Sequence, residues 1–347
     1  MKNLTVAVLF GGCSTEYGVS LESAHAVLTH LDRARFSPLA VGITRDGAWL
    51  LYRGPLSRIL DDSWHTDDCV PCAFSPDRGC RTLRTFGKQP QALPVDAVFP
   101  VLHGKNGEDG TVQGLLELAG LPIVGCGTAA STLGMDKHRA HLLARASGIA
   151  VPQGAVFTAR SPMDAIRQAA DRLGYPLFVK PVRAGSSFGI HCVHGPDDLR
   201  AAVDAALAHD SEVLLEQAVA GFEVGCAVLG NDELFTGRVD EIELTGDLFD
   251  FDEKYTLKTA RIHCPARISA GQEAAVQQAA CTVYRALGCQ GFARVDFFLT
   301  PAGEVVFNEV NTIPGLTAHS RYPGMMRAAG LDFPALLTRL VELGVGA

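Results

Sequence analysis

The residues best spaced for chemistry lie late in the chain. Ala293-Arg-Val-Asp296 and Phe307-Asn-Glu-Val-Asn311 each sit in a β-type run, and side chains two apart on a strand share a face. Arg294 and Asp296 therefore point one way, as do Glu309 and Asn311. Thr300-Pro-Ala-Gly303 between the runs is a turn signal, and a hairpin folded there brings the two faces together. Asp296, Glu309 and Asn311 would then surround one point, with Arg294 beside them. Three oxygen donors, one of them neutral, suit Mg²⁺ bound together with nucleotide phosphates. A salt-bridged surface hairpin is the competing reading.

A nucleotide needs a phosphate loop, and neither common fingerprint is present. Gly87-Lys88 and Gly104-Lys105 are both followed by the wrong residue for a Walker A loop, and no Rossmann GxGxxG occurs. Lys180-Pro-Val-Arg-Ala-Gly-Ser-Ser-Phe-Gly189 offers another solution. A strand ends in a lysine that can meet phosphate, and the following Gly-Ser-Ser-x-Gly segment presents backbone N–H groups and hydroxyls to anionic oxygens. A plain hairpin turn is the alternative. Further on, Glu216-Gln217-Ala218-Val219 follows an apolar run and could pair with an adenine edge, and Glu223 could accept from ribose hydroxyls.

The elements that must position these residues alternate between strand and helix. Thr5–Phe10, Phe36–Ile43 and Ala97–Leu102 read as strands, and Val19–Leu31 as a helix with Val19, Leu21, Ala24, Val27, Leu28 and Leu31 at helical spacing. This βαβ rhythm predicts a parallel sheet in an α/β domain over residues 1–125. A helix from near Gly134 to Ser147 opens a second unit, 126–216, which continues with a strand at Pro176–Pro181, a helix at Pro196–Ala208 and a strand at Val213–Glu216. A third unit, 217–347, is richer in strands: Val224–Val228, Leu234–Glu243, Phe292–Leu299 and Glu304–Val310. Helices at Gln272–Leu287 and Phe333–Leu343 accompany them. Asp61–Gln91 is the least regular stretch and reads as loop.

The 347 residues suffice for two or three domains. With 47% hydrophobic and 20% charged residues the composition is that of a soluble globular protein. A net charge of −8 with no basic run argues against a nucleic-acid partner. No segment approaches the roughly 18 consecutive apolar residues of a membrane helix. Met1–Phe10 reads as a buried first strand and not a signal peptide, so the expected location is cytoplasmic. Ten cysteines in such a chain are expected to be free thiols. Cys69-Val-Pro-Cys72, with His65 and Cys80, has zinc-ligand spacing, but no second CxxC follows, and incidental thiols in a loop are preferred.

Six segments, in order, resemble the D-alanine–D-alanine ligases among the ATP-grasp enzymes. They are Gly11-Gly-Cys-Ser-Thr-Glu16-Tyr-Gly-Val-Ser-Leu-Glu-Ser23, His103-Gly-Lys-Asn-Gly-Glu-Asp-Gly-Thr-Val-Gln-Gly114, Met135-Asp-Lys137, Lys180–Gly189, Arg294-Val-Asp296 and Asn308-Glu-Val-Asn-Thr-Ile-Pro-Gly315. The resemblance spans essentially the whole chain, and its His-Gly-x-x-Gly-Glu-Asp-Gly stretch is the most specific part. It implies an ATP-grasp fold preceded by a Rossmann-like parallel α/β domain. The first unit would bind substrate, and the central and C-terminal ATP-grasp subdomains would bind nucleotide and metal.

By the same resemblance ATP is a substrate. Two Mg²⁺ ions, replaceable by Mn²⁺, sit on Asp296, Glu309 and Asn311. Lys137, Lys180 and Lys254 meet the phosphates, and Glu223 binds ribose. Glu16 holds the ammonium of the first D-alanine, with His103 in the same pocket. Ser186 and Tyr255 bond to Glu16 and close the site. Arg294 and the N–H of Gly315 form an oxyanion hole, and Ser320 takes the carboxylate of the second substrate. A homodimer is also implied.

The second substrate divides the family. D-lactate members carry Glu-Lys-Gly in the loop between Leu244 and Ala260, where this chain has Glu253-Lys254-Tyr255. D-alanine members carry Tyr at the position of Phe249 and an apolar residue at that of Arg321. The Phe249 and Arg321 pair is similar to the vancomycin-resistance-type D-alanine–D-serine ligases, which implies D-alanyl-D-serine formation for peptidoglycan precursors. A housekeeping D-alanine–D-alanine ligase is the alternative. Gly18 departs from the acidic residue often found there.

Overall fold

The computed structural model describes residues 3–185, 188–244 and 260–346, and their strands form three sheets. The first sheet contains β1 (Leu4–Gly11), β2 (Phe36–Ile43), β3 (Trp49–Tyr52), β4 (Cys69–Phe74), β5 (Thr82–Thr85), β6 (Ala92–Pro94) and β7 (Ala97–Pro100), in the order β6-β5-β4-β3-β2-β1-β7. β1 pairs in parallel with β2 and with β7. Its Val6–Phe10 run is fully buried on both faces, as a strand inside a parallel sheet must be. The helix Tyr17–His30 links β1 to β2 and buries Leu21, Ala24, Val27 and Leu28.

Only the β2-β1-β7 centre has the expected parallel pairing. β3 to β6 are added antiparallel on one side, and β4 and β5 arise from the stretch read as loop. Strands of 6 and 4 residues are too short to show a period of their own. Trp64 anchors this region. It is fully buried, edge-on to Phe10 at 4.8 Å and to Tyr52 at 6.2 Å, and its indole N–H donates to the Tyr17 hydroxyl at 3.1 Å. Gly42 is required opposite, because a Cβ there would lie 2.2 Å from the indole ring. Cys69 and Cys72 thus lie in β4. The Cys69 thiol donates to the Trp64 carbonyl at 3.1 Å, and that of Cys80 to Asp77 at 3.0 Å.

The second sheet is antiparallel throughout: β8 (Gly154–Thr158), β9 (Leu177–Pro181), β10 (His191–Val193) and β11 (Glu212–Gln217), in the order β10-β9-β11-β8. Helices Met163–Leu173 and Pro196–Leu207 bury Ile166, Ala170, Leu199 and Val203 against it. The helix expected up to Ser147 is two, Thr128–Met135 and Lys137–Ala146. They break at Asp136, whose side chain caps the second by accepting from the Arg139 N–H at 2.9 Å. The cap leaves Lys137 at a helix N-terminus, facing the site.

The third sheet holds β12 (Phe222–Leu229), β13 (Phe235–Thr236), β14 (Asp240–Leu244), β15 (Ala260–His263), β16 (Phe292–Leu299) and β17 (Val305–Asn311). Its order is β15-β14-β12-β16-β17, with β13 on β12. The single strand expected over 234–243 is therefore two, separated at Gly237, where a Cβ would meet Met325 at 2.9 Å. The helix Ala270–Ala286 covers this sheet and opens with a Ser269/Gln272 capping box. The last helix, Phe333–Val345, packs between the third and first sheets. Its Leu336, Leu337, Leu340 and Val341 join the core that holds Val6, Val8 and Phe99 of the first. Among the described residues no helix is long and apolar enough to cross a membrane.

Trp64→Ala should lower unfolding stability by ~3–5 kcal/mol, the usual cost of deleting a buried large aromatic. The measurement is the urea midpoint at unchanged m. A loss below ~1 kcal/mol would show that β3–β5 do not depend on this anchor.

Candidate active site

β16 and β17 pair antiparallel with Arg294 opposite Asn311 and Asp296 opposite Glu309, and the register shifts just after Asp296. Asp296 is fully buried. Arg294 Nε donates to its Oδ1 at 2.9 Å and Nη2 to its Oδ2 at 2.8 Å, and Asn311 Nδ2 donates to Oδ2 at 3.0 Å. Lys137 Nζ lies 3.5 Å from Glu309 Oε2 and donates to the Ala184 carbonyl at 2.8 Å. Two carboxylates and a side-chain amide thus converge beside cations. That is a hard, oxygen-rich set, and it fits Mg²⁺ shared with phosphate.

The nucleotide residues collect next to it. Lys180 and Glu216 lie on the paired strands β9 and β11 and form a buried ion pair through Glu216 Oε1. Glu216 Oε2 is buried with no hydrogen-bond partner, and His141 Nδ1 lies 3.8 Å from it. The other nitrogen of His141, Nε2, donates to the Asn308 carbonyl at 2.7 Å, so Nδ1 of the neutral ring carries no proton to give. An unpartnered acceptor in this position is suited to an amino group of a bound base. Gln217 ends β11, Ala218 and Val219 follow it, and Glu223 stands on β12. Ser186, Lys254, Tyr255 and Phe249 lie outside the described residues.

Glu16 immediately precedes the helix Tyr17–His30, does not cap it with its side chain, and is buried. Its carboxylate rests on two glycines. A Cβ at Gly104 would be 2.3 Å from Oε2, and one at Gly185 would be 2.7 Å away. The phosphate loop and the His103–Gly110 loop therefore meet at Glu16, and neither glycine can carry a side chain. A cavity of ≈ 400 Å³ opens here, with Ser14, Glu16, Lys105, Arg183 and Phe188 in its walls.

His103 is close to Glu16, but it is committed to the protein. Burial lowers its pKa, partly opposed by Glu16, and a neutral ring has one N–H. Because the Ile313 carbonyl can only accept, Nδ1 carries the proton and donates to it at 2.9 Å. Nε2 then accepts from the Ser23 hydroxyl at 3.3 Å. Both ring nitrogens thus have partners within the protein. Ser320 does adjoin Gly315: a Cβ on Gly315 would lie 2.8 Å from its hydroxyl, which accepts from the Thr317 N–H at 3.0 Å.

Residues 5–126 match the family model described as the D-Ala–D-Ala ligase N-terminus, and residues 143–342 match the one described as its C-terminus. The chain belongs to this ligase family. It has the ATP-grasp fold, behind the parallel-centred α/β unit of β1–β7. A solved structure titled VanG D-Ala:D-Ser ligase, from Enterococcus faecalis, is 52% identical, with a TM-score of 0.93 over 99% of this chain and 100% of that one. A "Putative D-alanine–D-lactate ligase" of Streptomyces coelicolor is 46% identical over 99% of each chain. The vancomycin B-type resistance protein VanB of Enterococcus faecalis is 43% identical over 99% of each.

One specificity candidate of this ligase is also tied into the protein. Arg321 is buried, and its guanidinium is surrounded by carboxylates. Nε and Nη2 donate to the two oxygens of Asp240, both at 2.8 Å, Nη1 donates to Glu223 at 3.0 Å, and Nη2 lies 3.2 Å from Asp296. Gly225 makes room for the group, since a Cβ there would meet Nη2 at 2.3 Å. Arg321 therefore braces the candidate metal and ribose carboxylates, and most of its donors are taken by protein. Asp240, Ser23 and His141 were not picked out from the sequence. The first lies in the run Val239-Asp-Glu-Ile-Glu243, where only tertiary packing separates a buried carboxylate from its neighbours.

Glu309→Gln and Asp296→Asn should each lower turnover by at least ~10²-fold, as loss of a preorganised charge contact does. Glu309→Gln is the cleaner test, because Asp296 also neutralises Arg294 and Arg321. Phosphate release read beside a thermal melt separates catalysis from folding. Near-wild-type turnover in both variants would remove the metal assignment.

Proposed function

We propose that this ligase joins D-alanine to D-serine at the expense of ATP, through a D-alanyl phosphate, for peptidoglycan precursors of the vancomycin-resistance type. The observation that carries the ligase reading is the meeting of Asp296, Glu309 and Asn311 with Lys137, across the Gly185 loop from Glu16. A carboxylate does not react with an amine at neutral pH, and phosphorylation turns it into an acyl donor. Such transfer depends on position and charge. Lys137, Lys180 and Lys254 would neutralise the phosphates, and Glu216 to Val219 with Glu223 would hold the nucleoside. Two Mg²⁺ on Asp296, Glu309 and Asn311 would supply charge stabilisation on the transferred group, and Mn²⁺ could replace them.

Glu16 would orient the first D-alanine by its ammonium, with Ser186 and Tyr255 closing the site. Arg294 and the Gly315 N–H would receive the oxyanion as the second amine attacks, and Ser320 would hold the second carboxylate. The units 1–125, 126–216 and 217–347, a homodimer and a cytoplasmic location belong to the same reading.

D-serine as acceptor is supported by Phe249, Arg321 and the Glu253-Lys254-Tyr255 loop, and by the 52% identity to the D-Ala:D-Ser ligase structure. Asp240 fixes the plane of the Arg321 guanidinium. Nη1 gives one N–H to Glu223 and has a second that could meet a hydroxyl, directly or through water. A D-lactate reading has the 46% identical relative in its favour and Tyr255, in place of Gly, against it. A D-alanine–D-alanine ligase remains the other alternative.

With labelled ATP and D-alanine alone, positional isotope exchange should occur, and L-alanine should support none. Equal exchange with L-alanine would contradict the Glu16 pocket. With D-serine, D-alanine and D-lactate competing, D-alanyl-D-serine should be the main product. Phe249→Tyr combined with Arg321→Met and Asp240→Asn should lower the serine-to-alanine product ratio at least ~10-fold, the scale of a lost hydroxyl contact. The Asp240 change is included because removing Arg321 alone leaves a buried carboxylate unpaired. A wild type making mainly D-alanyl-D-alanine or D-alanyl-D-lactate would end the serine assignment and leave the ligase.

A further inference from the structure

We infer that Glu108 is a positioning residue of this site: its carboxylate accepts two backbone N–H groups at once and holds the Ile313–Leu316 segment that presents Gly315. The inference rests on the ligase reading above, in which the Gly315 N–H receives the oxyanion. Glu108 Oε2 accepts from Gly104 N–H at 2.9 Å and Oε1 from Ile313 N–H at 3.0 Å. One bond stays within its own loop, and the other reaches 205 residues along the chain.

The loop is a rigid base for that reach. Glu108 N–H closes on the Gly104 carbonyl at 2.8 Å, Gln113 donates to the Gly107 carbonyl at 2.7 Å, and Asp109 accepts from the N–H groups of Asn106 and Thr111. Ile313 is gripped a second time, because its carbonyl accepts from His103. The far end of the segment is pinned by Leu316 N–H, which donates to the Ser23 hydroxyl at 3.2 Å, and that hydroxyl in turn donates to His103. Between the pins lie only Pro314, which has no N–H, and Gly315. Three side chains of the first unit, Ser23, His103 and Glu108, therefore decide where the Gly315 N–H points. The metal-binding candidate Asn311 lies two residues before this grip.

The ionised form of Glu108 is the one that fits. A protonated carboxyl would turn a donor toward one of the two N–H groups. Removal from water and the nearby Glu16 raise its pKa to about 8, against the pull of the two N–H groups and of Arg294, so the grip weakens as the carboxyl takes up a proton below that pH. Neutral His103 adds no charge to the balance. An ammonium arriving at Glu16 offsets the repulsion between the two carboxylates, so the first substrate strengthens the grip on the segment that serves the second step.

Glu108→Gln keeps the shape and one acceptor but sets an amide N–H₂ against a backbone N–H. In the full-length enzyme it should lower dipeptide formation ~10²-fold, the scale for losing oxyanion preorganisation. KM for ATP should stay within about threefold, and positional isotope exchange with D-alanine alone should stay near wild type. Ser23→Ala, which frees the Leu316 end, should show the same split more mildly, and it carries the test if Glu108→Gln does not fold. Unchanged coupling in both variants, or exchange and coupling falling together, would overturn the inference. Absence of exchange and coupling in the wild type would instead refute the ligase reading.

Discussion

A carboxylate with no exposed surface needs cations and donors around it, and Asp296 sets this condition for the whole centre. Arg294 and Arg321 both face it, and Asn311 donates to it. Arg321 then needs further counter-charge of its own, which Asp240 and Glu223 provide. Burial works against the charge of both arginines, yet these carboxylates keep both firmly protonated. The chain of demands crosses β12, β14, β16 and the start of the helix Arg321–Ala328. It also explains Gly225, whose missing side chain is the space these groups occupy.

Around this centre the three sheets contribute loops and not strand faces alone. Glu16 meets both Gly104 and Gly185, so the loops that carry them approach within side-chain contact only because each has a glycine there. Lys137 projects from a helix N-terminus created by the Asp136 cap. The Ile313–Leu316 segment is held from the first unit, and the last helix joins the core of the first sheet. The site is thus assembled across units, and the cohesion of those units is part of its geometry.

Much of the fold was legible because long elements have periods. β2, β16 and the helix starting at Phe333 were read with correct starts, since alternation or a 3.6-residue pattern persists over several turns or pairs. Short strands gave no such signal: β4 and β5 exist because β3 and Trp64 offer them pairing and cover. The break at Asp136 and the split at Gly237 were also missed. The first is a local cap of Asp136 on the Arg139 N–H inside a continuous helical pattern, and the second depends on the contact of Gly237 with distant Met325.

For the site, residue type and spacing alone determined the hard-oxygen hairpin of Asp296, Glu309 and Asn311, because a strand's two-residue repeat places side chains without knowledge of the rest of the molecule. Glycines and lysines likewise marked the candidate phosphate loop, whose Gly185 lies against Glu16. Tertiary structure alone decided which protein groups the polar residues bond to. His103 and Arg321, candidate substrate contacts, also bond to Ile313, Ser23, Asp240 and Glu223. Those partners lie between 80 and 210 residues away along the chain. A hydrogen-bonding group's role is set by which partner reaches it first, and that is a property of the folded arrangement, not of local sequence.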